Sequence, residues 1–263
     1  LKFCLLPLSI TLCYPVVCFR TYRKDPGMKR ILITGANRGL GLEFVRQYQS
    51  QNIEIHACCR DINSADELKA LASSSGGKTI IHKMDVQNPD EINSVASELK
   101  GIPIDGLINN AGILGTNISE SENSQFGSID YESWHEVMSI NVFGPVRVSE
   151  AFVGNVLLSD KKLMIFISTH MASITNLSEG GFYQYRSSKA ALNLIVKGLS
   201  LDLKGQNIRT LALHPGWVKT DMGSDSAPVE IVDSISGMLK VIDSFHSPRT
   251  AEFINYDGTP YPW

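Results

Sequence analysis

Residues 31–41 read ILITGANRGLG, an apolar run that passes straight into a glycine-rich turn. Residues 30–34 have the length and the Ile/Leu content of a buried strand. Gly35, Gly39 and Gly41 follow, and residues 41–51 then place Leu42, Val45 and Tyr48 on one side with Phe44 beside them, the spacing of an amphipathic helix. Strand, glycine turn and helix in that order predict a phosphate-binding loop. Glycines let the backbone turn sharply and approach a pyrophosphate, and the positive end of the helix faces the anion. The spacing G-x-x-x-G-x-G differs from the usual G-x-G-x-x-G, and by itself it also fits a tight strand–helix turn. Its place between the first strand and the first helix favours a nucleotide.

The same alternation continues along the chain. Apolar runs at 53–58, 79–83, 106–109, 163–168 and 208–214 alternate with helical stretches at 89–100, 133–155, 183–204 and 230–245. Asn88 is placed to cap the first of these. Alternating strands and helices imply parallel strands with right-handed crossovers, and strands without polar alternation imply a sheet covered on both faces. The expected fold class is α/β, a doubly wound parallel sheet of Rossmann type, in a single domain over residues 28–263.

Composition bounds the function. The 263 residues carry 24 Lys+Arg against 27 Asp+Glu, a net charge of -3, which gives no basic surface for nucleic acid. Hydrophobic residues at 43% and charged residues at 19% exclude disordered and fibrous classes. Residues 1–27 stand apart as an apolar leader outside the fold. They hold Cys4, Cys13 and Cys18, carry Arg20, Arg23 and Lys24 after the apolar stretch, and precede Met28. They read either as upstream sequence or as a signal or membrane anchor, although Pro7 and Pro15 interrupt them as a helix. A membrane is a partner only if this leader is genuine; the remainder reads as cytoplasmic. Cys58 and Cys59 read as adjacent buried strand thiols. The six His are scattered without ligand spacing, so no metal is expected.

Two further features point to redox chemistry with a nicotinamide cofactor. At the end of the second strand, a carboxylate selects NAD and an arginine accommodates the 2′-phosphate of NADP. The strand reads IEIHACCRD: Cys59 stands where the acid is expected, Arg60 follows, and Arg38 in the glycine loop adds a second guanidinium. NADP(H) is therefore preferred, with Asp61 as the feature that keeps NAD open. Tyr185 and Lys189, in YRSSK, lie one helical turn apart on the same face. A phenol with a reference pKa of about 10 is a poor proton shuttle at neutral pH, and a nearby ammonium lowers that value. Such a tyrosine can protonate a carbonyl oxygen as hydride reaches the carbon. Alone, Y-x-x-x-K also fits an ordinary amphipathic helix.

Taken together, these motifs resemble the classical short-chain dehydrogenase/reductase family. TGANRGLG at 34–41 matches its T-G-x-x-x-G-x-G, NNAG at 109–112 its motif after the fourth strand, and Asn141 in SINVFGP its helix asparagine. Tyr185 and Lys189 match its catalytic pair, and Pro215 and Gly216 in HPGWVKTDM its segment after the sixth strand. A finer similarity to the sniffer-like carbonyl reductases and C-factor proteins lies in YRSSKAALN, HPGWVKTDMG and the ending INYDGTPYPW.

The resemblance implies roles. Tyr185 would be the proton donor, Lys189 would lower its pKa and hold the nicotinamide ribose, and Asn141 would anchor a water in a proton relay. Gly35, Asn37, Arg38, Gly39, Leu40 and Gly41 would hold the phosphates, with Arg60 at the 2′-phosphate. Asp85 and Val86 would lie near the adenine, and Asn110, Ala111 and Gly112 on the adenosine and ribose side. Pro215, Gly216, Val218 and Thr220 would meet the nicotinamide carboxamide or the pyrophosphate. One position departs from the pattern: where the family has its catalytic serine, IFISTHMASI places Thr169 after Ser168. Threonine keeps the polarising hydroxyl, but its methyl restricts χ1. Ser173 is the alternative, and His170 reads as a bystander. The implied activity is NADPH-dependent reduction of a small-molecule carbonyl substrate (an aldehyde, ketone or quinone), by a homodimer paired through 133–155 and 183–204. The rival readings are an NAD-linked alcohol dehydrogenase and a cofactor-sensing regulator with little turnover.

Overall fold

Strand β1 (Arg30–Thr34) ends where Gly35 takes φ 64°, a left-handed conformation open to glycine, and helix α1 (Gly39–Ser50) follows. The computed structural model describes residues 27–115, 125–246 and 248–263, and within them this unit recurs. The first half continues through β2 (Glu54–Cys59), α2 (Asp66–Ser74), β3 (Thr79–Lys83), α3 (Pro89–Glu98) and β4 (Gly106–Asn109). The second half comprises α4 (Tyr131–Met138), α5 (Gly144–Leu158), β5 (Leu163–Ile167), α6 (Tyr183–Asp202), β6 (Arg209–His214), α7 (Ile231–Ser244) and β7 (Glu252–Asn255). The strands form one seven-stranded sheet in the order β3-β2-β1-β4-β5-β6-β7, every pair parallel. This is the doubly wound α/β sheet expected from the alternation. Strand order reverses between β1 and β4, and ligands of such sheets bind beyond the strand C-termini at that point.

Alternate strand residues serve opposite faces. On one face Ile31, Ile33 and Ile55 pack with Phe44, Val45 and Tyr48 of α1 and with Ile235, Met238 and Ile242 of α7. On the other, Leu32, Leu107 and Met164 meet Ile92 and Val95 of α3, Val148 and Phe152 of α5, and Leu192 and Val196 of α6. Both faces are therefore apolar, which is why the strands lack polar alternation.

The elements differ from the sequence reading in a few places. The helix expected at 133–155 begins at Tyr131, where the Asp130 carboxylate accepts the Ser133 N–H at 3.1 Å. It passes through a π-helical turn, Ser139–Phe143, before continuing as α5 to Leu158. Helix α2 and strand β7 are additions. Asn88 caps α3 as read, accepting from Asp90 and Glu91 N–H, and Cys58 and Cys59 are buried free thiols. The leader falls, apart from Gly27, outside the described residues. Among the described residues no helix is long and apolar enough to cross a membrane.

Buried histidines are expected to make this fold acid-sensitive. His56 on β2 and His82 on β3 meet at 2.9 Å between ring nitrogens. Glu54 lies 3.3 Å from His56, and Glu98 lies 3.3 Å from His82. Burial, reinforced by His82 and opposed by Glu54, pushes His56 down to about 4. Burial, reinforced by His170, pushes His214 down to about 3. A histidine whose folded pKa lies below its unfolded value of about 6.5 contributes stability that is present above pH 6.5 and is lost as pH falls toward the folded value. His56 and His214 should each cost roughly 2–3 kcal/mol by about pH 4.5. Urea unfolding is therefore expected to show a much lower midpoint at about pH 4.5 than at pH 7; equal midpoints would contradict the assignment.

Candidate active site

The C-terminal ends of β1 and β4 are stitched together by two side chains. The Thr34 hydroxyl accepts the N–H groups of Asn110 and Ala111, each at 3.0 Å. Asn110 Nδ2 donates to the carbonyls of Thr34 at 2.9 Å and Gly35 at 3.0 Å. The glycine loop sits on this platform, and its spacing is sterically required. A Cβ at Gly41 would overlap the Gly35 carbonyl oxygen and lie 2.6 Å from Asn110 Nδ2; one at Gly35 would lie 3.0 Å from Ala111 Cα. Gly39 differs, because at φ 53° its missing Cβ would point into open space. Arg38 occupies the N-cap of α1 without a side-chain cap bond, and no acid stands in the first turn. The helix therefore opens with N–H groups and positive dipole uncompensated beside an open cradle, which fits a phosphate. Asn37 and Leu40 complete the loop, with Leu40 packed on the core beneath.

Around this cradle the structure locates the residues expected to choose the cofactor. Arg60 is exposed immediately past β2. Arg38 is exposed too and pairs with Asp221 at 2.8 Å. Asp61, the residue that left NAD open, turns back on its own loop. Its carboxylate accepts the Asn63 N–H at 2.9 Å, and the Ser64 hydroxyl and that amide hold its pKa below the usual range. Beyond β3, Asp85 accepts the Gln87 N–H at 2.9 Å, and Val86 is buried against Gly144.

A second cluster lies beyond β4, β5 and β6. Asn141, in the π-helical turn, is buried, with both amide protons engaged. Its Oδ1 accepts the Ile113 N–H at 2.9 Å, while Nδ2 donates to the Ile113 carbonyl at 2.8 Å and to Ser188 Oγ at 3.0 Å. The Ser188 hydroxyl donates in turn to the Tyr185 carbonyl at 2.8 Å. Asn141 thus ties the β4 loop to the first turns of α6, which carry Tyr185 and Lys189. Gly112 lets these groups converge: a Cβ there would lie 3.1 Å from Asn141 Oδ1 and 3.3 Å from Lys189 Nζ.

Of the three hydroxyls read from the sequence, the structure brings Thr169 to Tyr185. The Thr169 side chain caps the 3-10 turn His170–Ala172, accepting the Met171 N–H at 3.3 Å, and its hydroxyl lies near enough to the Tyr185 phenol to act on its pKa. Ser168 points into the core, where it donates to Asn193 Oδ1 at 2.7 Å. Ser173 donates instead to the Trp263 carbonyl at 3.2 Å.

The electrostatics of the pair depart from the sequence expectation. Burial pushes the Tyr185 phenol up to about 12, with the Thr169 hydroxyl opposing, and pulls Lys189 down to about 8. Lys189 Nζ donates to the Ile167 carbonyl at 2.9 Å and stands 5.9 Å from the centre of the tyrosine ring. The ammonium is directed at a carbonyl rather than at the phenol, so desolvation prevails over charge attraction. At neutral pH the phenol keeps its proton.

The segment after β6 closes the other side. Gly216 takes φ 85° with its missing Cβ 2.9 Å from the Tyr256 ring, and the Pro215 carbonyl accepts the Ser234 hydroxyl at 2.6 Å. Val218 is buried and bridges to Val229; the Thr220 hydroxyl accepts the Gly223 N–H at 3.1 Å. Met222 places its sulfur 4.0 Å from the Tyr185 hydroxyl, and Trp217 donates its indole N–H to the Gly223 carbonyl at 2.5 Å. Both apolar side chains are about half exposed, at 46% and 50%. Trp217 has no role in the sequence reading, although a large aromatic between two motif residues was the available signal.

Comparison with known proteins agrees with this geometry. Residues 29–230 match the family profile described as short chain dehydrogenase. C-signal from Myxococcus xanthus is 38% identical over 161 residues, covering 61% of this chain and 93% of that protein. The carbonyl reductase Sniffer of D. melanogaster superposes with a TM-score of 0.82 at 31% identity, covering 90% of this chain and 100% of that one. An NADPH-bound carbonyl reductase from chicken fatty liver also superposes with a TM-score of 0.82, at 33% identity, covering 90% and 99%.

Proposed function

The chain belongs to the short-chain dehydrogenase family, and from that premise we propose that it is an NADPH-dependent carbonyl reductase of small aldehydes, ketones or quinones. The observation that carries this reading is the gathering of Tyr185, Lys189 and Asn141 at the strand ends next to the glycine loop, with Thr169 at the head of the adjoining turn. When bound, the reduced nicotinamide supplies the hydride. Gly35, Asn37, Gly39, Leu40 and Gly41 hold the pyrophosphate at the α1 terminus. Asp85 and Val86 border the adenine, and Asn110, Ala111 and Gly112 the ribose side. Pro215, Gly216, Val218 and Thr220 flank the nicotinamide end. Tyr185 donates its proton to the substrate oxygen while Thr169 polarises the carbonyl. Lys189 holds the ribose, and Asn141 anchors the water that returns the proton.

Two arguments favour this reading over its rivals. Arg38 and Arg60 stand exposed while Asp61 is engaged by its own loop. The Arg38–Asp221 pair, exposed at 69% and 80%, is worth little in water, so a 2′-phosphate can displace it. The Thr169 hydroxyl, near the Tyr185 phenol, supports turnover with threonine in the serine's place and weighs against a regulator without turnover. We place the enzyme in the cytoplasm as a homodimer of one domain over 28–263, paired through α5 and α6. Those helices carry exposed Leu157, Leu158, Leu194 and Leu201.

Steady-state oxidation of NADPH and NADH with a panel of aldehydes, ketones and quinones tests the reading. kcat/KM is expected to be at least about tenfold higher with NADPH, and Arg38→Ala and Arg60→Ala should each lower the NADPH value without lowering the NADH value. A preference for NADH would replace the reading with an NAD-linked dehydrogenase. Tight NADPH binding without turnover of any carbonyl would replace it with a regulator.

A further inference from the structure

The ending INYDGTPYPW folds back on the last strand and reaches the turn that carries Thr169. After β7 the chain reverses at Tyr256–Gly258, where Gly258 takes φ 90° and the Asp257 carboxylate accepts the Thr259 N–H at 2.9 Å. It returns antiparallel to β7, with Asn255 N–H donating to the Thr259 carbonyl at 2.8 Å and Tyr261 N–H to the Phe253 carbonyl at 2.7 Å. This register fixes two aromatic rings. Tyr261 packs edge-on between Phe253 and His214, at centroid distances of 5.2 and 5.7 Å. Trp263 lies 5.6 Å from Phe253, with the Lys197 ammonium 5.6 Å from its ring centre.

From that anchored position the segment holds the Thr169 turn at two points. His214 extends the ring contacts to His170 at 5.0 Å, the residue next to Thr169. On the far side of the turn, the Trp263 carbonyl accepts from Thr175 N–H at 3.2 Å, Thr175 Oγ1 at 2.9 Å and Ser173 Oγ at 3.2 Å. Between these points the turn closes on itself, Ala172 N–H to the Thr169 carbonyl and Ser173 N–H to the His170 carbonyl, both at 3.0 Å. Residues 174–180 are all exposed, so the loop beyond Ser173 offers little packing to hold the turn in place. Threonine makes that placement demanding. Its branched Cβ restricts χ1, so the direction of the hydroxyl is set mainly by the backbone.

We propose that Tyr261 and Trp263 form a clasp that positions the Thr169 turn for carbonyl reduction, acting as positioning residues. The proposal rests on the reading of Thr169 and Tyr185 given above. Misplacing a reacting group by about an ångström costs on the order of a hundredfold in rate, so releasing the clasp should act on kcat and leave the cofactor cradle untouched.

The test compares the full chain with Trp263→Ala, Trp263→Phe and the double variant Ser173→Ala/Thr175→Val. It measures kcat, KM, NADPH affinity and amide hydrogen exchange at 171–175. Trp263→Ala should lower kcat about tenfold or more with NADPH affinity within about twofold, and exchange at 171–175 should quicken. Trp263→Phe, which keeps a ring against Phe253, should recover most of the rate. The double variant removes donors at the edge of the loop and should reproduce the kcat loss even where Trp263→Ala fails to fold. kcat within about twofold of wild type in the folded variants would overturn the clasp. If the wild-type protein reduces no carbonyl, the functional reading fails, and hydrogen exchange alone decides the clasp. Faster exchange at 171–175 in the variants then upholds it, and unchanged exchange overturns it.

Discussion

Replacing Tyr185 with phenylalanine is expected to lower kcat for carbonyl reduction by roughly 10²–10⁴-fold while leaving NADPH affinity within about twofold. The substitution removes one oxygen from a side chain packed at 8% exposure and keeps the ring that fills the site. Neither the hydroxyl nor the thioether beside the phenol can take over the proton. The Thr169 hydroxyl is far less acidic than a phenol, and the Met222 sulfur 4.0 Å away has no proton to give. Lys189 is directed at the Ile167 carbonyl. NADPH oxidation rates beside a fluorescence titration with NADPH separate chemistry from binding. A loss of less than about tenfold would mean that the proton comes from another group.

Gly41→Ala is expected to be strongly damaging for a single added methyl. The new Cβ would overlap the Gly35 carbonyl oxygen and crowd Asn110 Nδ2. Neither can retreat, because Asn110 donates to two carbonyls and Gly35 already sits against the Ala111 backbone. Overpacking costs about 1–3 kcal/mol, and a lost hydrogen bond costs about 0.5–1.5 kcal/mol more. A total of roughly 3 kcal/mol is expected in urea unfolding, with NADPH affinity reduced about a hundredfold through displacement of the phosphate loop. Gly39→Ala is the contrasting case. Its methyl meets open space, so the stability cost should stay near the roughly 1 kcal/mol of a residue held at positive φ, while the methyl intrudes on the phosphate cradle. Stability of Gly41→Ala within about 0.5 kcal/mol of wild type would contradict the description of the loop.

How much of this was legible in the sequence depended on whether the signal was local. β1, the glycine turn and α1 carry period and turn chemistry within one short stretch, so both element types and the loop's role could be read. The Tyr185–Lys189 spacing was legible for the same reason, but the sign of its electrostatics was not. Spacing reports that a charge is near; it does not report that α6 buries both groups or that the Ile167 carbonyl takes the ammonium. Helix α2 was missed because Leu68 is its one fully buried residue and no side chain caps it, which leaves almost no periodic signal. Strand β7 was missed because four residues at a sheet edge, the middle two buried and the outer two half-covered, are too few to show a period. The π-helical turn at Asn141 shifts the helix face within a continuous apolar pattern, so 133–155 read as uninterrupted. The Trp263–Ser173 contact joins residues 90 positions apart, beyond any local pattern. The ending could therefore be noticed as a resemblance but not assigned a place.

Hydride transfer itself is the central claim, and following the transferred atom tests it most directly. The protein is incubated with NADPH carrying deuterium at the reactive C4 position of the nicotinamide and with a carbonyl substrate, and the product is analysed by mass spectrometry. The expected result is an alcohol with one deuterium on the former carbonyl carbon, formed by the wild-type protein and reduced to trace by Tyr185→Phe. Tight NADPH binding with no deuterated alcohol from any aldehyde or ketone, and no hydroquinone from any quinone, would contradict the account.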